Sequence, residues 1–124
     1  MGGDYAPEKT IYGAILAIKE IPETTKITLF GREFEILSHL KKHKIEADKF
    51  TIIDCTDIIE MGEHPTTTFK QKQNSSISKG FSYLAKGEID GFASAENTGA
   101  MFVGGFYSVK AIVGILRPAI STLI

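Results

Sequence analysis

Residues 26–53 read KITLFGREFEILSHLKKHKIEADKFTII, and the fold class turns on their pattern. Ile27, Leu29 and Phe30 form a short apolar run that stops at Gly31, predicting a strand over 26–30. Phe34, Leu37 and Leu40 then recur at helical spacing, predicting a helix over 33–42 with those three side chains inward. Lys41, Lys42, His43 and Lys44 crowd the end of that helix, where cations suit the negative end of the helix dipole. A solvated helix terminus accounts for them better than a phosphate site. Phe50-Thr51-Ile52-Ile53 is the next strand. A strand, a crossover helix and a strand in this order form the unit that builds parallel sheets.

The same alternation extends outward on both sides. Pro7 and Glu8 suit the first turn of a helix, and Ile11, Ala14, Ile15 and Ile18 make one apolar stripe before Pro22 stops it. Beyond the central unit, Ile58-Ile59-Glu60-Met61 is a short apolar element before the loop Gly62-Glu63-His64-Pro65. Residues 66–73 suit a short exposed helix. Ser75 or Ser76 caps a further helix reaching Lys86, with Ile77, Phe81 and Leu84 on one face and Gly87 as terminator. Residues 89–94 read as a third strand. A helix starts at Thr98 and carries small residues at Ala100, Gly104, Ser108 and Ala111, a stripe that lets a backbone approach closely. A strand is expected over 119–124. The pattern predicts an α/β fold with a mostly parallel sheet, and residues 1–124 as a single partial domain. A helix so near Met1 implies a strand before it, and the last strand has no following turn. Both ends predict a piece of a longer enzyme.

Composition narrows the function classes. The 124 residues hold 14 Lys and Arg against 15 Asp and Glu, a net charge of −1. Nucleic-acid binding rests on a basic excess that is absent, so no nucleic-acid partner is expected. Hydrophobic residues at 43% and charged residues at 23% are ordinary for a globular domain and exclude a disordered tail. The segment 97–116 is diluted by Lys110 and four glycines, and a buried helix followed by a turn explains it better than a membrane span. Cys55, the lone cysteine, follows Ile52 and Ile53 and reads as a packed structural thiol. His39, His43 and His64 share no metal-ligand spacing with a carboxylate or the cysteine, so no metal is expected.

In open α/β sheets, ligands bind beyond the carboxyl ends of the strands. Two loops are candidates for that position. Gly2-Gly3-Asp4 follows the strand expected before Met1, and Ser94-Ala95-Glu96-Asn97-Thr98-Gly99 joins the third strand to a helix. The second loop suits an anion: backbone N–H groups at a helix start, hydroxyls of Ser94 and Thr98, the Asn97 amide, and Gly99 for close approach. The same residues equally suit an ordinary helix cap. Lys70, Lys72, Asn74, Ser75 and Ser76 form a second basic, hydroxyl-rich stretch, for which an exposed polar helix is the commoner explanation. No motif marks a covalent nucleophile or a general base.

These residues carry a resemblance. Met1-Gly2-Gly3-Asp4-Tyr5-Ala6-Pro7-Glu8 resembles the opening motif of the bacterial phosphate acyltransferases of fatty acid and phospholipid synthesis. Ile59-Glu60-Met61 with Pro65, Lys72 with Ser75-Ser76, Ser94 to Ala100, and Arg117-Pro118-Ala119 match later motifs in the same order. The resemblance implies a three-layer α/β/α sandwich with a mostly parallel Rossmann-like sheet, similar to isocitrate and isopropylmalate dehydrogenases. It implies transfer of an acyl group from acyl carrier protein to inorganic phosphate, without a cofactor. The resulting acyl phosphate feeds a membrane glycerol-phosphate acyltransferase. It further implies a cytoplasmic homodimer that associates peripherally with the membrane, and makes this chain the amino-terminal part of that enzyme. Ser94, Asn97, Thr98 and Gly99 are then expected to bind phosphate or acyl phosphate, with Lys72, Ser75 and Ser76 in support and Gly2, Gly3 and Asp4 shaping the facing loop. A phosphotransacetylase-like enzyme of the same superfamily and a non-catalytic module that docks acyl carrier protein are the alternatives. The chain departs from the resembled loop at Glu96, where that family typically has glycine. A carboxylate there repels a bound phosphate unless it points away or is paired.

Overall fold

A computed structural model of the chain describes residues 2–60, 62–115 and 119. Helix α1 spans Glu8–Ala17 and is followed by strand β1, Ile27–Gly31. Helix α2 spans Glu33–Lys42, and a single 3₁₀ turn, Ala47–Lys49, leads into strand β2, Phe50–Asp54. Helices α3, Pro65–Gln71, α4, Ser76–Ala85, and α5, Thr98–Gly104, complete the described elements, and α5 runs on into a π-turn at Gly105–Val109. The two strands pair in parallel, with Ile27 opposite Phe50 and Gly31 opposite Asp54. The expected α/β class and the parallel pairing are therefore present.

The alternation of side chains along β1 separates two apolar layers. Leu29 joins Ile11 and Ile15 of α1, Ile36 and Leu40 of α2, and Phe50 of β2 in one core cluster. Phe30 points to the opposite face, where its ring meets Tyr83 of α4 at 5.2 Å and Phe92 at 5.9 Å, both edge-on. A second cluster joins Ile59, Ile77, Phe81 and Ala100. Burying each such large side chain contributes roughly 1.5–3 kcal/mol. The small stripe of α5 does what its spacing predicts for its first two members. Ala100 and Gly104 are buried, and a Cβ at Gly104 would lie 2.3 Å from the Phe81 ring. Ser108 falls in the π-turn, and Ala111 lies beyond it.

Local signals set both ends of α4. The Ser75 hydroxyl accepts from Ser78 N–H and caps α4. Gly87 ends that helix region with φ +72°, while Glu88 N–H donates to Tyr83 C=O.

Three expectations are revised, and a fourth falls outside the described residues. Residues 89–94 form no strand and join no sheet among the described residues. The segment lines, together with Ile27, Leu29 and Phe30, a trough of about 910 Å³, which keeps it out of the ~4.7–4.9 Å spacing a ladder needs. Phe92 anchors the segment by its ring instead. Phe34 does not point inward but is 83% exposed, and Leu37 is also exposed; Ile36 and Leu40 hold the buried face. Helix α1 stops at Ala17, ahead of Pro22, in a run of tighter turns in which Lys19 N–H donates to Leu16 C=O. The strand expected over 119–124 lies outside the described residues, residue 119 excepted. No described helix is long and apolar enough to cross a membrane.

Candidate active site

The parallel strands end together, at Gly31 and Asp54, and the chain leaves both in the same direction. Cys55 N–H donates to Gly31 C=O, prolonging the pairing by one bond. Asp54 then ties the surrounding helices to this end. Its Oδ1 accepts from Glu33 N–H at the start of α2, and its carbonyl accepts from Lys79 Nζ of α4 at 2.7 Å. Asp57 and Asn74 exchange two further bonds, which bring the start of α4 beside the strand ends. The result is a small crevice of about 50 Å³ whose lining includes Gly2, Arg32, Cys55, Ser76 and Glu96. It lies where ligands bind in open parallel sheets, beyond the carboxyl ends.

Both loops singled out in the sequence reach this place. Gly2 and Gly3 lie directly on residues 95–96. A Cβ at Gly2 would come within 2.1 Å of Glu96 Cγ, and one at Gly3 within 2.8 Å of the Ala95 carbonyl oxygen. Gly3 also has φ +112°, a conformation glycine adopts freely. Ser94 Oγ accepts from Glu96 N–H at 3.2 Å, closing a tight turn. That turn aims the Glu96 side chain inward. Its Oε1 accepts a hydrogen bond from Ser76 Oγ at 2.6 Å, at the first residue of α4. Glu96 is only 7% exposed, so the carboxylate is buried, paired, and set at the positive end of a helix.

The other expected residues divide between caps and a separate knot. Ser75 is buried and spends its hydroxyl within α4, on Ser78. Asn97 Oδ1 accepts from Ala100 N–H and caps α5, while its Nδ2 donates to the carbonyls of Glu60 and Glu63. Lys72 Nζ lies 2.5 Å from both Glu63 Oε1 and the Ile58 carbonyl. Thr98 is exposed at the first turn of α5, Gly99 is half-buried behind it, and Asp4 is exposed. The structure thus gathers Gly2, Gly3, Ser76 and Ser94 around Glu96, and gathers Lys72 and Asn97 around Glu63.

Glu63 was not legible as a site residue. It fixes the 60–63 loop by accepting from Glu60 N–H, Thr68 Oγ and Lys72 Nζ. The Lys72 hydrogen bond is the foremost cause holding the Glu63 carboxyl below its ordinary range, helped by the Glu60 N–H. Arg32 was missed as well. It immediately precedes α2 without making a side-chain capping bond, pairs with Glu35 at 3.3 Å, and stands on the crevice wall as a half-exposed cation.

Cys55 lines the crevice yet is only 2% exposed, and its Sγ lies 3.4 Å from the Ile53 carbonyl oxygen. Burial above all pushes its thiol up to about 11, so it is neutral near pH 7 and is no nucleophile. Iodoacetamide at pH 8 is therefore expected to alkylate the native protein about a hundredfold more slowly than the urea-unfolded chain, because the thiolate fraction falls about that far. Equal rates, followed by intact mass, would show Cys55 to be accessible.

Comparison with known proteins agrees with the resemblance. The whole chain, residues 1–124, matches the family described as "Fatty acid synthesis protein". It is 44% identical over 124 residues to a protein of Dictyoglomus thermophilum named "Phosphate acyltransferase", covering all of this chain and 36% of that protein. Proteins of the same name from Caldicellulosiruptor bescii and Lysinibacillus sphaericus are 42% and 38% identical over 122 residues, each match covering 98% of this chain and 36% of the relative. The chain therefore spans about a third of the length of the curated relatives it matches. With a match running from its first residue to its last, the chain belongs to the fatty acid synthesis protein family whose named relatives are phosphate acyltransferases.

Proposed function

We propose that the chain contributes the phosphate side of a phosphate acyltransferase active site. In this reading an oxygen of inorganic phosphate attacks the thioester carbonyl of an acyl group carried on acyl carrier protein. The C–S bond breaks, the carrier leaves as a thiolate that takes up a proton, and an acyl phosphate is released. That product serves a membrane glycerol-phosphate acyltransferase. The complete enzyme works as a cytoplasmic homodimer with peripheral membrane contact, on a three-layer Rossmann-like sandwich of the isocitrate dehydrogenase kind.

One observation carries the reading beyond family membership. The glycine loop at 2–4, the 94–99 turn and the start of α4 converge at the carboxyl ends of two parallel strands. Donors fixed in such a place need no reorganisation as charge develops, and each contributes about 3 kcal/mol to the transition state. Ser94, Asn97, Thr98 and Gly99 hold the phosphate in this reading, and Ser75, Ser76 and Lys72 support them. Gly2, Gly3 and Asp4 form the opposing wall. Asn97 also caps α5 and bonds the 60–63 loop, so its removal mixes stability with binding. Thr98 is exposed and makes the cleaner probe.

Thr98→Ala, placed in a full-length acyltransferase that carries this chain, is expected to lower acyl-phosphate formation about a hundredfold at sub-saturating phosphate. An unchanged rate with unchanged phosphate dependence would remove the 94–99 turn from the site.

A docking role is the second reading, favoured by the lysines at the end of α2. Lys41, Lys42 and Lys44 are all exposed. Such a patch steers an acidic carrier protein by long-range attraction.

A further inference from the structure

The crevice already contains an anion of the protein's own. Glu96 sits in the turn that the proposed phosphate site uses, and its side chain points into the crevice rather than to solvent. Its carboxylate takes the Ser76 hydroxyl, the donor at the first residue of α4. The leading N–H groups of a helix have no partner within the helix, and that end favours negative charge. A carboxylate held there takes up the Ser76 hydroxyl, a donor that an incoming oxyanion would use. It also fills space, because no room remains between Glu96 and Gly2 even for one carbon. Arg32 stands on the same crevice wall, ion-paired with Glu35, and Asp57 lines the crevice as well, so no free cation among these lining residues offsets a second anion.

We propose that Glu96 is a tethered occupant of the anion position, so that this chain binds inorganic phosphate only in competition with its own side chain. The inference rests on the reading of the 94–99 turn as a phosphate site, and it makes Glu96 a specificity-determining residue of that site. Charge and volume act together. A dianion entering beside an ionised carboxylate meets repulsion, and it must also displace Glu96 from Ser76. Removing the charge alone recovers part of the affinity; removing the side chain recovers more.

The test is a titration of the 124-residue chain and three variants with inorganic phosphate, followed by calorimetry and by the amide shifts of residues 76 and 94–99. Glu96→Gln keeps the length of the side chain and a partner for Ser76, and so preserves the packing if Glu96→Gly does not fold. Glu96→Gln is expected to bind phosphate at least tenfold more tightly than the parent, and Glu96→Gly more tightly still. Adding Ser76→Ala to Glu96→Gln is expected to abolish most of that gain. Equal phosphate affinity in parent and variants, with shifts at 94–99, would overturn the competition while leaving the phosphate site in place. Absence of phosphate binding in every variant would overturn both.

Discussion

Replacing Phe81 by alanine is expected to lower the stability of the chain by about 3–5 kcal/mol, the cost typical of deleting a large buried aromatic. The ring is buried within the second core cluster, between Ile77 on its own helix and Ala100 on α5. It meets Phe92 edge-on at 5.2 Å and lies against the backbone of Gly104. Helix α5 touches it through Ala100 and Gly104, which cannot extend into the space it leaves, and only partial filling by Met101 or Phe69 is expected. Since domains are stable by only about 5–15 kcal/mol, the variant should unfold at markedly lower urea or temperature. The loss should also reach the crevice. Helix α4 supplies Ser76 and the segment anchored by Phe92 leads to Ser94 and Glu96, so both walls lean on this ring. The matched control is Phe34→Ala. Phe34 is 83% exposed, and its removal should change stability by less than about 0.5 kcal/mol. Two similar denaturation midpoints for the two variants would contradict the packing described.

Ile36→Ala is the second large effect, with an expected loss of about 2–5 kcal/mol. Ile36 is 0% exposed and packs from α2 onto Leu29, Ile11 and Phe50. Alanine gains a few tenths of a kcal/mol in helix propensity over isoleucine, which cannot offset a cavity of three heavy atoms. Ile36 also lines the crevice, so the void opens beneath Arg32 and Cys55. Faster alkylation of Cys55 in this variant would report that opening directly. Chemical denaturation that finds Ile36→Ala no less stable than Leu37→Ala would show the wrong face of α2 assigned to the core.

That helix also shows how far a sequence reaches. The bounds of α2 follow from Gly31 before it and the basic cluster after it, and the structure places them at Glu33 and Lys42 as expected. Its inward face did not follow. Phe34, Leu37 and Leu40 make one helical stripe, and Ile36 with Leu40 makes another only a little rotated. Docking on the sheet chooses between them, and no local preference records that choice. The segment 89–94 fails for a related reason. Its residues suit a strand, but a strand exists only when a neighbour offers a ladder, and the trough beside β1 leaves it none among the described residues.

The candidate site divides in the same way. Small residues for close approach and a cap at Ser75 are local features, and both were visible, whereas the 94–99 loop was read as following a strand that is not among the described elements. The pairing of Glu63 with Lys72 spans a loop and a helix with no periodic relation, so nothing in the spacing announced it. Asn97 and Lys72 emerge with partners of their own, which gives the capping explanation of Asn97 a concrete geometry beside the proposed phosphate role. Glu96 stood out in the sequence only as a misfit, and the fold accounts for it with a buried partner.

The contact between Gly2 and Glu96 has a consequence for how such a chain can diverge. One small volume is shared by two positions far apart in the chain, and only one of them can fill it at a time. Gly2→Ala therefore forces Glu96 out of place in the present background, and that clash disappears once residue 96 has shrunk. The order in which the two replacements arise decides whether a lineage passes through a broken intermediate, a case of epistasis written in a few ångströms of space.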